Sequence, residues 1–483
     1  MSWAMCGVAH SRGFPGVVLP QFTNPDTDDL YLDPPNLTLF VSIVNAGVMV
    51  GSLVTGQLLA PLGGRVVIII GLPLGVIAWI GLVFSYQLWV LMLCRLLMGF
   101  TFALVKPSTV MYIVEVADER IRGRLVGVLC IAREIGFSSS YFMGSLKLTW
   151  RQLSLLYGCF LIPPIIALFF IPDSPRWLVA RGRVTEACKS LKFFRGCHYD
   201  VEVELEGIVS QASAASNSKS SFWQQLKFLA RPPTLQTFIL LCTLSVIFAF
   251  QGIVTITPYL MIILDTPGTP LDPADSAVMC SLLKLSGTMV HIFLIDFIGR
   301  KPIFVVFLSY ISVCNIVYGF SYTQLQEDSG AAVSWLPLIS IGVLHFFSGI
   351  IVPVIDLVQG ELLPTACRAV SLPLLMLSHS LAVFISLKTF LQMVDTLGMD
   401  GVFRLFTLVS LAMAVLTIVA VPETRCLSLE AISNGSNSQA RPNTTVSVVT
   451  ADSHDQRLSK NIVSNQGDNS SSTNVHSHST HLI

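Results

Sequence analysis

Several ionisable side chains lie inside long apolar stretches of this chain, where charge is costly. Lys284, Asp356 and His379 each stand near the middle of such a stretch, and Arg133 and Glu134 lie together inside another. An ionisable side chain at a bilayer centre costs roughly 2.5–3.5 kcal/mol on insertion scales, and it normally faces a cavity or a partner. Two interpretations follow. One is a structural Lys284–Asp356 ion pair beside a packed neutral His379. The other is a binding site for a charged, zwitterionic or strongly polar solute.

The composition places these residues in a membrane protein. The 483-residue chain is 53% hydrophobic but only 12% charged, about half of the charged fraction that is usual for soluble proteins. Lys and Arg total 29, as do Asp and Glu, so no net charge favours nucleic acid. The 11 cysteines form no CxxC pair, and neither an HExxH motif nor a nucleophile elbow occurs. The sequence therefore predicts no disulfide framework, no metal site, no cofactor and no enzyme.

Membrane spans should position the ionisable residues. About eleven apolar stretches reach the roughly 20 residues that a membrane-spanning helix needs. Residues 3–20 add a further one, in which His10, Arg12 and Pro15 indicate a short or truncated first helix. We therefore expect an all-α integral membrane protein with about 12 transmembrane helices.

The loops differ in charge, and the difference predicts the orientation. The loop at 21–33 contains aspartates and no Lys or Arg, whereas the stretch from Arg176 to Arg231 is rich in basic residues. Because Lys and Arg concentrate in cytoplasmic loops, both termini are predicted to be cytoplasmic, in a plasma-membrane protein. The sequon at Asn36 then lies outside and is a candidate for glycosylation.

Composition also divides the chain into regions. The tail is rich in Ser, Asn and Thr and has no aromatic residue, so it cannot bury enough apolar surface to fold. The predicted regions are a first six-helix bundle at 1–172, a cytoplasmic insert at 173–234, a second bundle at 235–421, a cytoplasmic motif segment at 422–432 and a disordered tail at 433–483.

The two apolar regions carry matching polar residues. Gly64-Arg65 matches Gly299-Arg300, and Glu115 precedes Arg122 by seven residues just as Glu361 precedes Arg368. Two similar halves of about six spans, joined by a cytoplasmic insert, are typical of transporters with parallel repeats. In such transporters the solute binds between the halves near the bilayer midplane.

Longer motifs occur in order at the ends of the spans. They are Pro172-Asp173-Ser174-Pro175-Arg176-Trp177-Leu178, Asp296-Phe297-Ile298-Gly299-Arg300-Lys301 and Pro422-Glu423-Thr424-Arg425. With these motifs the chain resembles the sugar-porter family of the major facilitator superfamily, and within it the insect facilitated trehalose-transporter branch. The resemblance implies a major facilitator fold, a monomer in the lipid bilayer, and alternating-access transport of a sugar or related polar solute by facilitated diffusion.

The resemblance also implies an inner gate of charged residues at the cytoplasmic ends of the spans. Arginine pairs bidentately with carboxylates, and such pairs can break and re-form as the halves rock. The first short loop departs from the family pattern, because Ala60 replaces an acid and Gly64 replaces a basic residue. The gate candidates are Arg65, Glu115, Arg122, Arg176, Asp296, Arg300, Glu361, Arg368 and Glu423.

The central pocket departs further from the family pattern. Family members use amides that donate and accept hydrogen bonds toward sugar hydroxyls. Cys130, Lys284 and His379 stand where amides are expected, and Asp356 stands where a tryptophan is expected. We therefore expect weak transport of ordinary hexoses and trehalose. The substrate-binding candidates are Cys130, Gln251, Tyr259, Lys284, Asp356 and His379.

Alternatives to sugar transport stay open at this point. The lost amides and the weakened first loop are compatible with a non-transporting sensor or a degenerate family member. The inserted charges are compatible with a carrier of a charged non-sugar solute. Residues 1–20 contain no Asp or Glu, whereas proton-coupled relatives use a first-span carboxylate, so uniport is favoured.

Overall fold

The computed structural model describes residues 1–23, 29–118, 121–196, 200–216, 222–265, 271–327, 333–363 and 367–421. All the regular elements in these ranges are helices. The described residues belong to one compact unit, which extends from Met1 to Asn434.

The first half of the chain forms six helical elements. They are α1 (Ser2–Phe22), α2 (Pro34–Val83), α3 (Leu88–Val116), α4 (Arg122–Ser145), α5 (Trp150–Phe160) and α6 (Ile162–Phe170). Short helices then follow in the predicted insert: α7 (Pro175–Ala180), α8 (Val184–Arg195), α9 (Glu202–Ser216) and α10 (Phe222–Leu229).

The second half begins with a broken span and continues with four long helices. The broken span contains α11 (Pro232–Phe250), α12 (Ile253–Ile256), a 3₁₀ turn (Thr257–Tyr259) and α13 (Leu260–Leu264). The remaining elements are α14 (Pro273–Ile298), α15 (Arg300–Glu327), a 3₁₀ turn (Val333–Trp335), α16 (Leu336–Leu362) and α17 (Arg368–Ala420).

Glycines with positive φ divide the two longest helices. Gly63 has φ 78° inside the 50-residue α2, and Gly398 has φ 73° inside the 53-residue α17. A side chain other than glycine is strained in this conformation, and each bend lets one continuous helix cross the bilayer twice. Among the described residues, eight helices have the length and composition of a span when α2 and α17 each count once. Counting α2 and α17 twice and adding α1 and the broken α11–α13 span gives twelve crossings, which agrees with the predicted number.

The first helix is longer than its composition suggests. With 21 residues it extends about 31 Å at 1.5 Å per residue, enough for the roughly 30 Å hydrocarbon core. Most of its side chains are buried against other helices, including His10 at 0% exposure. Its polar residues therefore face protein instead of lipid, and this burial explains why hydropathy alone underrates the helix.

Close helix packing repeats in both halves. A Cβ atom on Gly99 of α3 would lie 1.8 Å from the Val44 carbonyl oxygen of α2. In the second half, a Cβ atom on Gly349 of α16 would lie 2.1 Å from the Lys284 carbonyl oxygen of α14. Only glycine allows helix backbones to approach this closely. The same contact therefore joins the second and fourth spans of each half.

The structure shifts one of the sequence-based repeat matches by a residue. The bend after the second span lies at Gly63, with φ 78°, and the bend after the eighth lies at Gly299, with φ 94°. Gly63 therefore corresponds to Gly299, and Gly64 corresponds to Arg300. Matching Gly64-Arg65 with Gly299-Arg300 pairs identical residue types, but the paired residues do not have the same backbone conformation.

The halves meet at the end of the molecule that carries Asp29, hereafter the Asp29 end; the opposite end carries Arg65 and is called the Arg65 end. Lys388 Nζ of α17 donates to the Pro35 carbonyl oxygen at 2.6 Å and to Thr38 Oγ1 at 3.1 Å at the start of α2. The Tyr141 hydroxyl of α4 donates to the Thr257 carbonyl oxygen at 2.7 Å. These bonds join the two halves at the Asp29 end.

Candidate solute-binding site

A carboxylate from the second half sits between cations of the first half. Asp356 of α16 accepts hydrogen bonds from Lys106 Nζ of α3 at 3.1 and 3.3 Å and from Arg133 Nη1 of α4 at 3.4 Å. Although Asp356 lies within a span, its side chain is 36% exposed. The carboxylate is therefore partly accessible where the halves meet instead of fully packed.

A second ion pair crosses between the halves beside the first. Glu134 of α4 lies 3.0 Å from Arg133 Nε and 3.3 Å from Lys284 Nζ of α14. The Glu134–Lys284 contact has ion-pair distance but not hydrogen-bond geometry. The Lys284 ammonium also lies 4.2 Å from the ring centre of Phe137, where a cation–π contact is favourable. Together the pairs form one chain of charges: Lys284, Glu134, Arg133, Asp356 and Lys106, hereafter the central network.

Three further polar groups border the central network. Arg12 of α1 interacts electrostatically with Arg133 and Asp356. His379 of α17 has Nδ1 at 3.3 Å from the Ser245 carbonyl oxygen and interacts electrostatically with Asp356. Cys130 of α4 lies one turn before Arg133 and interacts with it. Spans from both halves therefore contribute to one polar site.

Local backbone chemistry fixes the position of Asp356. Pro353 lies one turn before it in α16, and because proline has no N–H, the Gly349 carbonyl loses its helical donor. The Thr288 hydroxyl of α14 donates to that carbonyl oxygen at 3.1 Å. This bond and the glycine contact hold α14 and α16 together, so Lys284 and Asp356 are set by one packed helix pair.

The predicted Lys284–Asp356 ion pair does not form. Lys284 pairs with Glu134, and Asp356 pairs with Lys106 and Arg133. The two predicted residues do lie in one network, but each meets a charge of the opposite half. Counting from the sequence motifs assigns Lys284 and Asp356 to the correct helices. It does not predict which residues of the other half their side chains contact.

Lys106 was missed by the sequence reasoning although its signal was present. It is a single lysine in a 29-residue apolar helix, and the cost argument that selected Lys284 applies to it equally. From the sequence alone, Arg12 indicates a short or truncated first span. The structure instead makes it part of the site.

The other substrate-binding candidates behave differently from one another. Gln251 is fully buried, and its side-chain oxygen and nitrogen have no hydrogen-bond partner among the described residues. Tyr259 donates its hydroxyl to the Leu387 carbonyl oxygen at 2.9 Å and stacks on Phe390 at 4.7 Å. The side-chain amide of Gln251 therefore has unused hydrogen-bonding groups, whereas the hydroxyl and ring of Tyr259 already bind and pack within the second half.

At the Arg65 end, the described gate candidates of the first half contact the end of the sixth span and the segment that follows it. Arg65 Nη1 lies 3.3 Å from Asp173 Oδ1, and its Nε donates to the Leu168 carbonyl oxygen at 3.0 Å. Glu115 interacts with Ser174 and Arg176. These contacts join the third, fourth and sixth spans within one half, so they stabilise the bundle in the conformation observed here.

The remaining gate candidates are less completely described. Arg122 starts α4 with its Nε and Nη2 buried and without hydrogen-bond partners among the described residues, and Arg300 starts α15. The side chains of Asp296, Glu361 and Arg368, and all of Glu423, lie outside the described part of the structure. Their gate role stays a prediction.

The sequon residue Asn36 is part of a helix. It lies in the first turn of α2 and is partly buried, while Thr38 is only 3% exposed and accepts a bond from Lys388. Glycosylation at Asn36 stays a prediction.

Comparison with known proteins agrees with this architecture. The family described as "Sugar (and other) transporter" matches residues 15–435. The chain belongs to this family. It is therefore a membrane solute carrier of sugar-porter type and not an enzyme.

Individual proteins show how far the similarity extends. The chain is 28% identical over 439 residues to the human protein "Solute carrier family 2, facilitated glucose transporter member 6", covering 86% of this chain and 85% of that one. It is 29% identical over 392 residues to "Facilitated trehalose transporter Tret1" of Culex quinquefasciatus, covering 80% and 74%. The inward-open xylose transporter XylE from E. coli matches with a TM-score of 0.74 at 18% identity, covering 89% of this chain and 97% of that one. The structural match shows the major facilitator fold.

Proposed function

We propose that this family member carries a polar solute of sugar size across the plasma membrane by alternating access, with the solute bound at the central network. The observation that supports this most is the 36% exposed Asp356 side chain, which lies inside a span between cations of the opposite half. A purely structural ion pair needs no open space around it. A solute site does need such space, and also needs groups from both halves.

The contacts between the halves support a rocking mechanism. The halves are joined at the Asp29 end by hydrogen bonds of Lys388 and Tyr141, and at the central network by ion pairs. Rocking toward the other state must break the bonds at the Asp29 end. With the Asp29 end outside, the structure then corresponds to a carrier closed to the exterior.

Facilitated diffusion is the simplest energetic scheme for this site. No acidic residue occurs in α1, and Glu134 and Asp356 are both held by cations. A carboxylate that is already paired does not need a proton to remain between the halves. We propose that the protein works as a monomer, because each of the two bundles supplies part of the same site.

Uptake measurements test the proposed function. The full chain, reconstituted in liposomes, is expected to accelerate the saturable uptake of at least one radiolabelled solute from a panel of neutral sugars, sugar acids and sugar phosphates. Counterflow by the unlabelled solute should accompany it, because a carrier exchanges substrate across the bilayer. A folded protein that moves none of the panel would instead indicate the non-transporting sensor.

The predicted orientation has a direct test in cells. Epitope tags at residue 28 and residue 440 should be accessible from opposite sides of the plasma membrane, with the first outside, because basic residues concentrate on the other side. Antibody labelling of intact and permeabilised cells measures this. Labelling of both tags from the same side would show the topology to be wrong.

A further inference from the structure

Among the described residues, positive charge exceeds negative charge at the centre of the molecule. Lys106, Arg133 and Lys284 of the central network face two carboxylates, Glu134 and Asp356. Arg12 borders the network and interacts with it electrostatically. Four formal positive charges against two negative charges leave a surplus of two, inside a bilayer where buried charge normally has a partner.

Arg12 is the cation that carries the surplus most clearly. Its Nη1 donates only to the Asn45 side-chain oxygen, at a long 3.3 Å, and its guanidinium lies 4.7 Å from the ring centre of Phe102. Its Nε is buried and has no hydrogen-bond partner among the described residues. No carboxylate of the described part lies within ion-pair distance of it.

Arg133 has spare donor capacity at the same place. Its Nε is taken by Glu134 and its Nη1 by Asp356, but its Nη2 is buried without a partner in the described ranges. Two guanidinium groups that interact electrostatically with one another therefore each present an unused N–H donor.

Arg95 increases the positive field behind Arg12. It is 1% exposed, and it donates to the carbonyl oxygens of Ser11 at 3.0 Å and Phe40 at 3.4 Å. Arg95 interacts electrostatically with Arg12. Because carbonyl oxygens satisfy its donors without neutralising its charge, Arg95 makes the surplus at Arg12 larger.

The unused groups of this site fit an acceptor-only ligand. A sugar hydroxyl both donates and accepts, whereas guanidinium and ammonium groups only donate. Both carboxylates already face cations: Asp356 accepts from Lys106 and Arg133, and Glu134 accepts from Arg133 while its other oxygen lies within ion-pair distance of Lys284. A carboxylate or phosphate accepts from several donors at once and forms bidentate pairs with guanidinium groups.

We propose that the solute bears an anionic oxygen group, a carboxylate or a phosphate, which binds between Arg12 and Arg133. The proposal rests on the carrier function above and specifies the chemical class of its solute. A sugar-sized organic anion would neutralise part of the central surplus while its remaining polar atoms lie on the side of Asp356 and His379.

The test compares solutes that differ at one carbon. Full-length protein in liposomes is given radiolabelled D-glucose, D-glucuronate or D-glucose 6-phosphate, which carry a hydroxyl, a carboxylate or a phosphate at carbon 6. We expect uptake of at least one anion to exceed glucose uptake about tenfold at equal subsaturating concentration. Arg12→Gln should reduce this preference several-fold. Arg183→Gln, which removes a cation of the exposed Arg183–Glu186 pair, should leave it unchanged.

A voltage measurement on the unmodified protein keeps the test independent of variant folding. Because an anion carries charge inward, an inside-positive potential set with potassium and valinomycin should accelerate anion uptake but not glucose uptake. Glucose uptake equal to or faster than that of both anions would overturn the inference and leave the carrier function standing. An anion preference that survives Arg12→Gln in folded protein would overturn the assignment to Arg12. Uptake of no panel member would contradict the carrier function itself.

Discussion

Asp356→Asn is expected to destabilise the protein by roughly 3 kcal/mol, toward the low end of the cost of breaking a buried ion pair. The reason is that Lys106 loses its only ion-pair partner in the described structure, and Arg133 loses one of two. The partial exposure of Asp356, at 36%, lets water recover some of the loss. The apparent melting temperature of the detergent-solubilised protein measures the effect.

Second changes identify the true partner of Asp356. Lys106→Met combined with Asp356→Asn should restore much of the stability, because the uncompensated cation is removed and Arg133 keeps Glu134. Lys284→Asn combined with Asp356→Asn should be worse than Asp356→Asn alone, because Glu134 then also loses a cation. Rescue by Lys284→Asn and not by Lys106→Met would mean that the pairing seen here is incorrect.

An exposed ion pair provides the matched control. Asp400 pairs with Arg404 at 3.0 Å on α17. Asp400 is 27% exposed, but the arginine side chain is 73% exposed and stays hydrated when the pair is broken, unlike Lys106 and Arg133. Asp400→Asn makes the same chemical change as Asp356→Asn, but an exposed pair of this kind contributes only about 0–1 kcal/mol. A loss at Asp400 as large as that at Asp356 would show that the effect comes from general charge removal.

The sequence predicted the fold well because its signals are local. Apolar length depends only on neighbouring residues, and the twelve crossings followed from it. Burial of α1 among other helices is a tertiary property, and hydropathy therefore underrated a helix that contains His10 and Arg12.

The central site was predicted only in part because pairing is not local. The cost of charge in a membrane selected Lys284, Asp356 and His379, and the same rule would have selected Lys106. The rotation of α3, α4, α14 and α16 about their own axes depends on how these helices pack against one another. Local sequence patterns do not predict it. That rotation decides that Asp356 meets Lys106 and Arg133, while Lys284 meets Glu134.

The contact between α14 and α16 should tolerate no side chain larger than hydrogen at Gly349. A Cβ atom there would lie 2.1 Å from the Lys284 carbonyl oxygen, and the reciprocal atom on Gly287 would lie 2.0 Å from the Phe346 carbonyl oxygen. Backbone atoms of two packed helices cannot move aside as a side chain can. Gly349→Ala is therefore expected to cost roughly 3 kcal/mol, the upper end of typical overpacking effects.

The same helix contains the control for this change. A Cβ atom on Gly342 of α16 would meet only side chains, Leu283 Cδ1 at 3.0 Å and Met279 Cε at 3.9 Å. Leu283 can adjust its rotamer, and alanine is better than glycine inside a helix by about 0.5–1 kcal/mol. Gly342→Ala should thus be near neutral in melting temperature and in solute uptake.

Gly349→Ala should lower both, because separation of α14 from α16 moves Lys284 and Asp356 away from their partners in the first half. Equal melting temperatures and equal uptake for the two variants would show that this glycine contact does not set the geometry of the central network.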